Sequence, residues 1–363
     1  MTRSGGLSAE RLGVAIVGCG LTGQKRAKAL AGARLTGCAD VKRERAEALA
    51  HTASDATASD DWRAVIDRAD VDVVVVATTN DALAEVTLFA VGAGKHVLVE
   101  KPAARSIAEI DPVIDAAARC GRLVRVGFNH RYHPALLKAR ELFDAGALGE
   151  LMFVRGRYGH GGRVGYEKEW RADPVLAGAG ELIDQGVHLI DLSRWFLGDF
   201  TTVNGFAHTY FWQMPVDDNA FLLLRTVREQ TAFLHVSCTE WKNLFSLEIY
   251  GHDAKVHVEG LGGTYGIERL AFYKMLPDMG PPETTIWEYP RSDRSWELEF
   301  EDFLEDIRVG RHPAANLSDA RAALAVVEEV LRQSGHSSTR ALPLTLDDHH
   351  AQPAANHARR RRH

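Results

Sequence analysis

The sequence predicts an α/β protein of two domains: a doubly wound parallel sheet, then an α+β domain with an open, mainly antiparallel sheet. Three observations predict it. From residue 12 to residue 126, short Val- and Ile-rich runs alternate with Ala-rich amphipathic stretches, the grammar of βα units. After Gly127 that alternation stops and longer strands follow one another. The length, 363 residues, exceeds what one core of ordinary size holds, so a second domain is expected.

In the first part, apolar runs place strands near residues 14–17, 35–39, 71–77, 96–99 and 123–127. The helix after Pro102 begins with a capping box of Ser106 and Glu109, which leaves residues 101–105 as a loop. In the second part, helices are expected at 134–145 and 182–196, with a strand at 151–158 between them. Segments 221–227 and 231–239 flank a polar turn and read as a hairpin. Two helices, 296–309 and 318–332, close this domain, the second with apolar positions at Ala322, Leu324, Val327 and Val330.

Composition narrows the partners. Hydrophobic residues at 45% and charged residues at 25% are ordinary for a globular chain, and a net charge of −6 argues against a nucleic-acid footprint. Cys19, Cys38, Cys120 and Cys238 form no CxxC pair, so neither a zinc site nor a disulfide framework is expected, and a reducing cytoplasm fits. No signal-length apolar run opens the chain and no stretch suits a membrane span. Residues 1–10 read as a flexible start, and residues 344–363, ending in Arg359 to Arg362, as a disordered tail.

Gly18-Cys19-Gly20-Leu21-Thr22-Gly23 follows the first strand directly and runs into a helix, the context of the dinucleotide fingerprint of a Rossmann domain. Gly18 allows the turn, Gly20 lets the backbone approach a pyrophosphate, and Gly23 lets helix and strand pack. Leu21 and Thr22 then open the helix whose free N–H groups face the phosphates. Asp40 ends the second strand, where a carboxylate accepts hydrogen bonds from ribose hydroxyls. The same charge repels a 2′-phosphate, so NAD is expected over NADP, with Lys42 and Arg43 close enough to soften the repulsion. Thr78, Thr79 and Asn80 stand at a strand's carboxyl end as cofactor contacts or as plain turn formers.

Glu100-Lys101-Pro102 ends another parallel strand. Lys101 there either hydrogen-bonds a carbinol oxygen and steadies its developing negative charge, or sits in a surface turn. Asp184, His188 and Asp191 share one helix face among apolar neighbours. His188, with an ordinary pKa near ~6.5, is a general base or a satisfied core histidine. Asp184 would hold it or bind substrate. The spacing would also suit a divalent ion, but no second cluster accompanies it, so no metal is expected.

Taken together, Gly18 to Gly23, Gly94 to Pro102, Gly127-Phe128-Asn129-His130-Arg131-Tyr132-His133-Pro134 and Gly180 to Asp191 resemble the Gfo/Idh/MocA oxidoreductase family over most of the chain. The resemblance implies that residues 11–130 bind NAD and residues 131–343 bind substrate and form a homodimer or homotetramer. It implies that Lys101, Asp184 and His188 are the catalytic group, that Asn129 and Arg131 lie by the nicotinamide or substrate, and that Trp170 and Arg171 reach the cofactor. Members often carry Pro after the threonine of the fourth strand and a His nearby, where this chain has Thr79 and Ala84. The glycine-rich loop of residues 158–168 offers Tyr158, Tyr166 and Lys168 as substrate contacts.

The expected reaction is oxidation of a secondary hydroxyl of a sugar, an aminosugar such as one within an aminoglycoside, or a sugar nucleotide. Its alternatives are ketone reduction by the same groups and a non-catalytic NAD-binding regulator on the same fold.

Overall fold

A computed structural model describes residues 11–278 and 280–336. The expectations for residues 1–10 and 344–363 lie outside the described residues. Strands β1 (Gly13–Val17), β2 (Arg34–Ala39), β3 (Thr57–Ser59), β4 (Val73–Val76), β5 (His96–Val99) and β6 (Val124–Val126) form one sheet in the order β3-β2-β1-β4-β5-β6. Every pairing is parallel. The sequences GVAIV of β1 and VVVV of β4 are fully buried because such a sheet is covered on both faces. The helices between the strands are α1 (Leu21–Lys28), α2 (Arg43–Ala50), α3 (Trp62–Ile66), α4 (Asn80–Gly92) and α5 (Ile107–Cys120). Strand order reverses between β1 and β4, the crevice at which open α/β sheets bind ligands.

Two local expectations are corrected. The short polar strand β3, Thr-Ala-Ser, carries no apolar signal and was not expected. The capping box at α5 does not form: Ser106 makes no capping bond. Glu109 instead accepts from the Arg105 backbone N–H at 2.8 Å and from its Nε at 3.0 Å, a charge-assisted pair that outcompetes the neutral cap.

Past β6 come α6 (Pro134–Asp144), β7 (Leu151–Gly159), the short α7 (Pro174–Ala177), and a π-helical turn, Leu182–Gly186, that runs straight into α8 (Val187–Leu197). The remaining strands are β8 (Phe200–His208), β9 (Asn219–Thr226), β10 (Thr231–Ser237), β11 (Leu244–Gly251), β12 (Ala254–Glu259), β13 (Glu268–Lys274) and β14 (Glu283–Tyr289). With β7 they form an eight-stranded sheet in the order β14-β13-β12-β11-β7-β10-β9-β8. The β9–β10 hairpin is antiparallel as expected, and only β7 and β10 pair in parallel. Positions along β10 alternate between buried and open, the period of a sheet with one covered face, and α8 lies against β7 and β10.

Two helices end the described chain, α9 (Ser295–Val309) and α10 (Leu317–Gln333). The first does not close the second domain. Phe300 and Phe303 of α9 pack with Val14, Ile16 and Leu98 of the first sheet, because an apolar stripe says that a helix is covered and not by which sheet. The second is capped reciprocally by Asn316 and Asp319 and buries Ala323, Leu324, Val327 and Val330 against α5, α8 and β8. Ala322, expected on that face, is only half-buried.

Candidate active site

Glycine is required twice in the loop between β1 and α1. Gly18 has φ +92°, and a Cβ there would lie 2.4 Å from the Ala77 carbonyl oxygen. A Cβ on Gly23 would lie 2.0 Å from the Gly18 oxygen. Gly20 instead opens on space in which an added Cβ meets nothing within 4 Å, the room a pyrophosphate needs against a helix N-terminus. Gly18, Gly20, Leu21 and Thr22 line a cavity of about 390 Å³ together with Asp40, Thr78 and Thr79. Asp40 is held in place by the Cys19 backbone N–H at 2.8 Å and the Lys42 backbone N–H at 2.9 Å. Loop, helix end and carboxylate fit a dinucleotide. Trp170 and Arg171 reach this cavity from the second domain.

Two expected cofactor contacts stand elsewhere. The Lys42 side chain is exposed and away from the cavity wall, so its part is the backbone N–H given to Asp40. Asn80 is buried and donates to the Ala177 carbonyl at 2.9 Å, fastening α4 to α7. Trp62 and Arg45, which sequence reasoning passed over, do line the cavity.

A second cavity of about 220 Å³ adjoins the first, and Thr22 and Arg171 line both. Lys101, Asp184 and His188 line it together. Lys101 Nζ contacts the Asp184 carboxylate and also donates to the Asp184 main-chain oxygen at 2.6 Å. The other carboxylate oxygen accepts from Arg171 Nε at 2.9 Å. Burial acts to raise the Asp184 pKa, but the Lys101 and Arg171 cations hold it well below the usual carboxylate range. The residue that grips both cations lies in the π-helical turn, a local geometry frequent at functional sites.

Asp184 makes no hydrogen bond to His188 among the described residues; its carboxylate is turned to Lys101 and Arg171. The His188 imidazole is 5% exposed, and its Nδ1 makes no hydrogen bond among the described residues. It stacks on His130, ring centroids 3.7 Å apart, with the edge of Tyr158 at 6.3 Å. Burial first, and then the Lys101 ammonium, push His188 well below the usual histidine range. A neutral imidazole beside an ammonium is the pairing that a proton acceptor and an oxyanion stabiliser require. Glu100 and Asn129 lie on the same wall: Arg26 Nε donates to Glu100 at 2.7 Å, and Asn129 Nδ2 donates to Ser295 Oγ at 2.8 Å.

Of the expected substrate contacts, Tyr158 lines the cavity and three others do not. Arg131 is buried, with Nε donating to Asp191 at 2.8 Å and a terminal nitrogen 3.2 Å from Asp319. A guanidinium shut away from water needs such carboxylates, so both Arg131 and Asp191 are structural. Tyr166 is buried against Trp212 and His160. Lys168 is exposed and off the cavity wall. The wall also includes His130, His133, Gln185, Tyr265, Asp293 and Trp296, none of which was given a role from sequence. Among the described residues no group of three or more His, Cys, Asp or Glu is arranged to hold a metal ion, and no helix is long and apolar enough to cross a membrane.

Comparison with known proteins agrees with this geometry. Residues 12–128 match the sequence model described as oxidoreductase family, NAD-binding Rossmann fold, and residues 136–257 match the GFO/IDH/MocA C-terminal domain. Inositol 2-dehydrogenase 2 of Saccharopolyspora erythraea is 29% identical over 350 residues, 90% of this chain and 94% of that protein. Levoglucosan dehydrogenase of Pseudarthrobacter phenanthrenivorans is 32% identical over 240 residues, which is 60% of this chain and 60% of that protein's length. In fold, a levoglucosan dehydrogenase in complex with NADH and levoglucosan superposes with a TM-score of 0.81 at 24% identity, covering 90% of this chain and 97% of that one. GenD2 from gentamicin A biosynthesis, in complex with NAD, gives 0.76 at 24% identity, covering 92% and 97%. With both halves matched, a glycine cradle that fits NAD and the Glu-Lys-Pro and Asp-x-x-x-His residues meeting at one cavity, the chain belongs to the Gfo/Idh/MocA family of NAD-binding oxidoreductases.

Proposed function

We propose that the protein is a dehydrogenase that oxidises a secondary hydroxyl of a cyclic sugar or polyol to a ketone. The observation that carries this reading is that Lys101 and His188 line one cavity, which adjoins the dinucleotide cleft through Thr22 and Arg171. NAD, held by the Gly18–Gly20 loop and Asp40, would supply the acceptor for the hydride of the carbinol carbon. His188 takes the hydroxyl proton at its unprotonated imidazole, so the O–H hydrogen leaves as a proton while the C–H hydrogen leaves as hydride, and a C=O bond forms. Lys101 stabilises the oxygen as its negative charge grows, and a preorganised cation in a site screened from water does this most effectively. Asp184, anionic between Lys101 and Arg171, keeps Lys101 aimed. The same groups serve ketone reduction in reverse, His188 then returning the proton.

Relatives named for inositol and levoglucosan support a cyclic polyhydroxylated substrate. The fold likeness to GenD2 brings aminosugars, free or within aminoglycosides, into the test set beside sugar nucleotides. The experiment is NADH absorbance from purified protein, NAD and a panel of inositols, anhydrosugars, hexoses, aminosugars and sugar nucleotides. Turnover of at least one is expected. NAD binding without turnover of any, and without reduction of the matching ketones, would favour the non-catalytic regulator instead.

A further inference from the structure

Gln185 and Tyr265 stand on the wall of the catalytic cavity. Gln185 follows Asp184 in the π-helical turn, while Tyr265 comes from the loop between β12 and β13. The two side chains are joined: Gln185 Nε2 donates to the Tyr265 hydroxyl at 3.2 Å. The Tyr158 ring is tilted against that of Tyr265, centroids 5.2 Å apart. The Gln185–Tyr265 bond sets what remains free. The carboxamide has one N–H engaged by Tyr265, and its Oε1 is buried without a partner among the described residues. The Tyr265 oxygen is occupied as an acceptor, which leaves its own O–H to donate.

A buried carbonyl oxygen without a partner is destabilising, a loss that is offset when a ligand supplies the donor. We propose that Gln185 and Tyr265 form a specificity-determining pair that reads a second hydroxyl of the substrate. Gln185 Oε1 accepts a hydrogen bond from that hydroxyl and the Tyr265 O–H donates one to its oxygen. An acceptor beside a donor matches a group that both donates and accepts, which a hydroxyl does, an ammonium does only as donor, and a deoxy carbon does not at all. The substrate class this selects is a neutral polyol with a free hydroxyl besides the one oxidised. The assignment rests on the proposed dehydrogenase function and adds its selectivity.

The test uses myo-inositol, levoglucosan and D-glucose, each with those of its monodeoxy derivatives that retain a reactive hydroxyl, in the NADH assay. For the best parent compound, wild type should use one monodeoxy derivative about 10- to 100-fold less well in kcat/KM. In Tyr265→Phe and in Gln185→Met the parent should fall towards that derivative, so that the ratio drops to within about threefold, while NAD affinity stays at the wild-type value. Should either variant fail to fold, the wild-type series still decides, since equal use of every derivative overturns the assignment. An unchanged ratio in both variants, with turnover retained, overturns it alone. No turnover of any parent by wild type would overturn the dehydrogenase reading, and this pair with it.

Discussion

The imidazoles of His130 and His188 stack face to face, centroids 3.7 Å apart and planes 18° from parallel. Two cations do not stack so closely in a buried site, and both rings are held neutral: His130 by burial and then by His188, His188 by burial and then by Lys101. The proposed proton acceptor therefore stands ready in its basic form.

Because His188 is pushed below the ordinary histidine value, the acid limb of kcat/KM should lie below about pH 6.5. Stability carries the same sign. The unfolded chain regains normal histidines and binds protons first, so the stability is present above about pH 6.5 and is lost as pH falls through the lower folded values of His130 and His188. Urea denaturation at stepped pH and a pH profile of kcat/KM check both. An acid limb at or above the ordinary histidine value would contradict the assignment.

Asp40 directly follows β2 on the wall of the dinucleotide cleft, fixed by two backbone N–H groups. Its carboxylate should favour NAD over NADP. Hydrogen bonds to a charged group contribute about 1.5–3 kcal/mol, so Asp40→Ala should weaken NAD by about 10- to 150-fold and narrow the preference over NADP. Fluorescence titration with each dinucleotide measures this. Tighter binding of NADP to wild type would mean that Asp40 has been misread.

Arg26 is 1% exposed and bridges Glu100 at 2.7 Å to Glu299 at 2.6 Å. It thereby ties α1, the strand end that carries Lys101, and α9. Arg26→Met strands two buried carboxylates and should cost about 3–5 kcal/mol of stability by urea denaturation. A loss under about 1 kcal/mol would show that the pairs behave as surface ones.

Much of the fold was legible because period and punctuation are local. The alternation ending at Gly127 marked the first sheet, and the polar turn between β9 and β10 marked their pairing. What escaped depends on partners distant in the chain. Nothing near Arg131 announces Asp191, sixty residues on, so a polar residue in a catalytic motif was expected at the substrate and is a buried ion pair instead. The stripe on α9 did not name the first sheet as its cover. In the site, Lys101, Asp184 and His188 were visible as motif residues, whereas Tyr265 reaches the same cavity from the loop between β12 and β13 and Trp296 from the first turn of α9, and no local pattern points either of them there.

The central claim is that Lys101 and His188 act on one oxygen in one transition state, and a double-mutant cycle in kcat tests it most directly. His188→Ala and Lys101→Met should each lower kcat by about 10²–10⁴, and the double variant should fall far short of the product of the two losses, because groups acting as a unit are not additive. Fully multiplied losses, or wild-type rates in either single variant at unchanged NAD affinity, would contradict it.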